Sequence, residues 1–293
     1  MGLDFCQPES IDSPEMSTVA PPTRFWTFTV LGGACLLVYL FATAPTELAA
    51  EGPNQKSIST KEALTMLAWE NDVTRTLFTK EIVGKGKTQG LKFHEDWADQ
   101  DVIAGPLPAL FLRGVALEIS TSTVPLNLFL GSDFPIESSN RFNDLQMKEF
   151  KAMREDLLPR HFIDPATGEH VSMFPDFASA GPCVSCHNEH ERSSKTDWAL
   201  GDLMGATTWS YPSDSVTTDE FLAMLSEYRK GVEVVWGQYL GELDALQDEQ
   251  RPTIGNTWPS EGLYIPSHEA LRDSIDKMSN SALFTQMLNT ATF

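Results

Sequence analysis

Three residues in one short run could do chemistry together: Cys183, Cys186 and His187, in Cys183-Val184-Ser185-Cys186-His187. Cys-x-x-Cys-His is the spacing that attaches one haem c. Two thiols two residues apart add across the two vinyl groups of a single porphyrin. His187 then gives its imidazole to the iron as proximal ligand. A reactive dithiol would use the cysteines without needing the histidine. A structural zinc site would need two more ligands at regular spacing, and the chain has no second cysteine pair.

The sixth iron position has several candidates: His170, Met173, His190 and Met204, and further off His94, His161, Met147 and Met153. Imidazole and thioether both bind haem iron, and methionine raises the potential relative to histidine. Met173 and His170 precede the motif on a segment that reads as a hairpin, and they are the distal ligands favoured by the sequence. His190 follows His187 by three residues, so on a helix both would face the same side; it suits a carboxylate or a haem propionate instead. Arg192, Lys195 and Trp198 are propionate or packing partners, or surface groups. An open iron able to take up a gas is the alternative.

Around these residues the pattern alternates between helices and short strands. Apolar positions at helical spacing predict a helix over 61–82, capped by Ser59 or Thr60, and Gly84 to Gly90 reads as a turn. Gly105-Pro106-Leu107-Pro108 breaks the chain before a helix over 109–119. A strand is expected at 126–130, an amphipathic helix at 142–158, a hairpin over 161–174 about Asp164-Pro165-Ala166-Thr167-Gly168, and a strand at 201–211. This mixture predicts an α+β domain with one haem rather than an all-helical cytochrome. Beyond it, residues 213–293 form a helical extension with long helices at 221–246, where Asp219 could cap, and 268–288. Trp258 and Tyr264 in the turn-rich piece between them mark it as a possible docking segment for another subunit.

The N-terminal region predicts a membrane anchor. No residue between Arg24 and Glu47 is charged. The nineteen residues 25–43, apolar nearly throughout, match a hydrocarbon core of ~30 Å, with Trp26 and Tyr39 near the ends. The expected organisation is a tail at 1–23, a transmembrane helix at 24–46, the haem domain at 60–212 and the extension at 213–293. A cleaved signal peptide is the alternative, but its basic region should be short, whereas acidic, proline-containing sequence precedes Arg24. Arg24 alone gives little topological signal. Haem attachment decides instead, because in bacteria it is made outside the cytoplasm. The chain is therefore expected in the bacterial inner membrane, with its N-terminus cytoplasmic and its main domain periplasmic. Of four cysteines, Cys6 and Cys35 would then stay in the cytoplasm and the bilayer, leaving no pair for a structural disulfide.

A formal net charge of −20, from 41 acidic and 21 basic residues, repels nucleic acid and suits a basic partner or plain solubility. No internal repeat, phosphate loop, dinucleotide fingerprint, nucleophile elbow or zinc-protease motif is present. No acid/base constellation accompanies the haem motif, so an enzyme is not expected.

The run Cys183 to His190, followed by Ser194-Lys195-Thr196-Asp197-Trp198-Ala199-Leu200-Gly201-Asp202-Leu203-Met204-Gly205, resembles the c-haem-binding, PAS-like periplasmic sensor domain found ahead of bacterial adenylate cyclases and histidine kinases. Gly90-Leu91-Lys92-Phe93, Gly105-Pro106-Leu107-Pro108-Ala109 and Phe134-Pro135 resemble the same domain. The resemblance spans residues 60–212. It implies a central antiparallel sheet with flanking helices and one haem, held by Cys183, Cys186 and His187. The family's second membrane helix and signalling module have no counterpart in residues 213–293.

Two function classes follow. One is a monohaem electron carrier, an accessory subunit of a photosynthetic or respiratory membrane complex. The other is a haem-based redox or gas sensor that signals through a partner. A scaffold subunit with a structural haem is a third reading.

Overall fold

The structure, a computed structural model, describes residues 57–99, 102–246 and 251–290. The chain divides into two units, 1–54 and 55–293, and all described residues belong to the second. The tail at 1–23 and the membrane helix at 24–46 lie outside the described residues. Among the described residues no helix is long and apolar enough to cross a membrane.

The fold begins with strand β1 (Ser57–Ser59) and helix α1 (Thr60–Leu77). Ser59 and Glu62 form a reciprocal capping box: Ser59 Oγ accepts from the Glu62 N–H at 3.2 Å, and Glu62 Oε2 accepts from the Ser59 N–H at 3.0 Å. The helix does not stop at Ile82 as its sequence suggests. It passes through a wide π turn at Phe78–Gly84 into α2 (Lys85–Thr88). Gly86 serves packing rather than a turn, since a Cβ there would stand 2.8 Å from Leu91 Cδ1. The chain turns only at Gly90, whose φ is +98°.

Short strands β2 (Phe93–His94) and β3 (Gly105–Pro106) pair in parallel. Helix α3 (Pro108–Ser120) starts with proline in its first turn, where a missing N–H costs nothing. Strand β4 (Asn127–Gly131) follows, then α4 (Asp144–Asp156), capped by the Asn143–Gln146 box and ended by Leu157 in the left-handed region. Hairpin β5 (Arg160–Ile163) and β6 (His170–Phe177) turns through Gly168 at φ +76°. Helix α5 (Gly181–Glu189) carries Cys183, Cys186 and His187. Strand β7 (Leu203–Tyr211), buried at every position, completes a four-stranded antiparallel sheet in the order β4-β7-β6-β5. The mixed α+β class expected from the sequence is the one observed.

The described residues of the segment 213–293 pack into this unit. Strand β8 (Ser215–Thr217) pairs antiparallel with β1. Helix α6 (Thr218–Asp244) is capped by Thr217 with Glu220, not by Asp219. Strands β9 (Thr253–Gly255) and β10 (Tyr264–Pro266) pair in parallel, and α7 (His268–Thr290) follows. The apolar stripe of α6, including Tyr228, Val235, Trp236 and Tyr239, enters one core with α1, α3 and β7. There Phe78 and Phe111 stack at 4.2 Å and Trp236 meets Phe78 edge-on at 6.2 Å. Trp258 and Tyr264 are half-buried, and Trp258 packs on that core.

A second, smaller cluster lies between the sheet and α4: Phe142, Phe150, Met153, Met173, Leu203 and Ala206.

Candidate functional site

Helix α5 is fastened at both ends by backbone and side-chain hydrogen bonds. Before it, the Ala178 N–H donates to Asp202 C=O at 2.9 Å and Ala178 C=O accepts from Gly201 at 3.0 Å. At its end, the Asn188 amide bonds both to the N–H and to the C=O of Trp198. The Ser193 hydroxyl lies against the carbonyls of His187 and Lys195. Trp198 is buried with Ala178 and Met204, against Cys183 and Val184. Its ring stands edge-on to His187 at 6.4 Å and 87°.

Cys183, Cys186 and His187 all line one cleft of about 1510 Å³, a volume that includes its open mouth. One wall is apolar, with Leu107, Leu110 and Leu112 from α3 and its approach, Leu130 from β4, and Ile136. Met204, Gly205 and Ala206 of β7 also line it. Gly205 has to be glycine for close strand approach: a Cβ would lie 2.3 Å from Gly131 O. A second hollow lies beside the first and shares Cys186, His190, Glu95, Leu107 and Pro182 with it.

The chemistry of the three motif residues is set mainly by burial. The thiols of Cys183 and Cys186 are not joined to each other. Burial pushes both above the ordinary thiol range, so at neutral pH they are protonated. That is the reverse of the depressed pKa that activates a redox dithiol. Burial lowers the His187 pKa, with Asp176 opposing it, so the imidazole is neutral and able to ligate. His187 Nδ1 is buried with no hydrogen-bond partner. Among the described residues no three His, Cys, Asp or Glu side chains converge on a bare-metal site. Protonated thiols, a neutral imidazole without a competing partner and a long apolar wall are a donor set that fits haem c.

The distal candidates separate. Met173 is fully buried in the cluster against α4 and does not line the cleft. His170 opens β6, paired with Ile163 and Tyr211; at the rise of a strand it stands ~20 Å from Asp176, where β6 reaches the cleft. The two ligands favoured by the sequence are thus not brought to the motif. Strand alternation turns Met173 to the α4 side, and strand length carries His170 away. Met153 belongs to the same cluster as Met173, Met147 packs on it, and His161 is hydrogen-bonded to Ser172 at 2.8 Å. His190 and Met204 do line the cleft. His190 Nε2 lies 3.0 Å from Glu95 Oε2, the carboxylate contact its position suggested. No sequence pattern marks three further cleft groups, Arg75, Asp176 and Arg113, which come from α1, β6 and α3.

Compared with known proteins, the chain matches no family model, no curated protein and no solved structure.

Proposed function

We infer that this chain is a membrane-anchored, periplasmic monohaem protein of the c type, serving as an accessory subunit of a photosynthetic or respiratory electron-transfer complex. One observation carries the reading: Cys183, Cys186 and His187 share one fastened helix and one large, partly apolar cleft. When bound, the haem supplies one-electron chemistry. Cys183 and Cys186 hold the porphyrin covalently, and His187 offers a neutral imidazole to the iron. Trp198, clasped by Asn188, restricts that imidazole's orientation. Leu107, Leu110 and Leu112 would give a haem held in the cleft an apolar, water-excluding wall. The antiparallel sheet with helices packed on it supports a PAS-like reading of residues 60–212. The net charge of −20 favours a basic partner surface and disfavours nucleic acid.

The second reading, a redox or gas sensor acting through a partner, is favoured by the antiparallel sheet with helices packed on it, the layout that the resemblance to sensor domains implies. One experiment tests both. The protein is gently extracted from its native membrane with its partners attached, and its optical spectrum and pyridine haemochrome are recorded. One haem c, with a spectrum unmoved by carbon monoxide, in a redox complex supports the carrier. A carbon-monoxide shift transfers the assignment to sensing. A covalent haem stain that survives Cys183→Ala with Cys186→Ala defeats the site, and absence of haem defeats both readings.

A further inference from the structure

Three arginines line the cleft: Arg75, Arg113 and Arg192. Two are occupied. Arg75 pairs with Asp72 at 3.0 Å and with Asp176. Arg192 pairs with Glu95 at 3.5 Å and with Glu137. The remaining cleft carboxylate, Asp96, lies 3.5 Å from His94. Lys195, proposed from sequence as a propionate partner, is held by Asp197 and lies 4.4 Å from the centroid of the Trp198 ring. Glu95, Glu137 and Asp176 are therefore each paired with an arginine, while Asp96 is exposed beside a histidine ring. Arg113 has no ion pair and no hydrogen bond among them.

Among the described residues every other arginine has an ion pair or a hydrogen bond, although several lysines do not. Acidic residues outnumber basic ones 41 to 21, so a carboxylate is seldom far away. Arg113 is partly buried on α3, in the wall that faces the same space as Cys183, Cys186 and His187. A guanidinium presents five N–H donors in a planar fork, which matches a carboxylate bidentately. Desolvating such a group without an acceptor is unfavourable, so its complement should be an anion brought by the ligand.

We propose that Arg113 holds a haem propionate through a charge-assisted, bidentate pair. The proposal rests on the haem reading above and deepens it. Arg113 is then a positioning residue. Its fixed positive charge favours the reduced iron and keeps the propionate ionised.

The test uses the full chain, matured with haem and extracted from membranes, as wild type, Arg113→Gln and Arg113→Lys. Lys148→Gln on the exposed face of α4 is the charge control. Haem content by pyridine haemochrome is read separately from the haem reduction equilibrium, titrated between pH 5 and pH 8, and from the propionate-bending band in resonance Raman spectra. All four proteins should carry one covalent haem. Arg113→Gln should shift the equilibrium toward ferric haem roughly three- to tenfold, the scale of one partly screened charge at haem distance, and add a pH dependence as the freed propionate titrates. Arg113→Lys should stay near wild type in potential yet still move the Raman band, because it keeps the charge and loses the fork. Lys148→Gln should move neither. Full haem content with unchanged equilibrium and an unmoved band in both Arg113 variants overturns the proposal and leaves the haem reading standing. Wild-type protein without covalent haem overturns that reading, and the proposal with it. If Arg113→Gln does not accumulate, the Raman band of Arg113→Lys decides.

Discussion

Asn188 holds Trp198 by both ends of its amide: Nδ2 donates to the Trp198 carbonyl at 2.9 Å, and Oδ1 accepts from the Trp198 N–H at 2.8 Å. The residue directly after His187 thereby fixes the indole against which the His187 ring rests. Asn188→Ala strands two partly buried backbone groups. It should cost roughly 1–3 kcal/mol, seen as a lower urea midpoint, and should broaden the optical bands of bound haem. Asn188→Asp, which keeps only the acceptor, should fall between.

Met173 gives a test of face. Its thioether is enclosed against Phe150 and Met153 on the α4 side of the sheet. Met173→Ala should cost about 2–5 kcal/mol of stability through the cavity it leaves, while the haem spectrum stays that of wild type. A change of iron spin state in this variant would mean that the side chain reaches the iron.

The β4–β7 contact beneath the cleft tolerates no side chain at Gly205, where a Cβ would meet a carbonyl oxygen rather than a flexible side chain. Gly205→Ala should destabilise by roughly 1–3 kcal/mol in thermal or urea melts. Gly181→Ala is the contrast, because nothing stands within 4 Å of its Cβ position; it should lie within about 0.5 kcal/mol of wild type.

Burial, and secondarily the charge of Lys61, holds the His161 pKa below its ordinary value. The unfolded chain then binds the proton more readily than the folded one. Stability from this group is complete above about pH 6.5 and declines as pH falls from there toward the folded pKa. Urea midpoints measured between pH 8 and pH 5 should drop on the acid side, and His161→Gln should flatten that part of the curve. An equal slope in the variant would assign the loss to other groups.

Much of the local structure was legible because it depends on nearest neighbours. The Ser59–Glu62 cap, the proline-led start of α3, the hairpin about Gly168 and the long helices of the C-terminal segment are all written at spacings of a few residues. The grouping of Cys183, Cys186 and His187 is equally local, since all three lie on one short helix. What could not be read were relationships across the sheet and between layers. Whether Met173 faces the cleft or α4 is decided by β6 pairing with β7, a one-residue matter of register set 35 positions further along the chain at Thr208. The burial of α6 depends on Phe78 and Phe111, more than a hundred residues before it. Arg113 carries no motif; it became conspicuous only when folding paired the other two arginines of the cleft with carboxylates and left this one facing the space beside the cysteines. The sequence by itself determined that two thiols and an imidazole lie together, because a spacing of a few residues is a local geometry. Tertiary structure decided what surrounds them, because packing and charge pairing are sums over residues that the chain does not keep together.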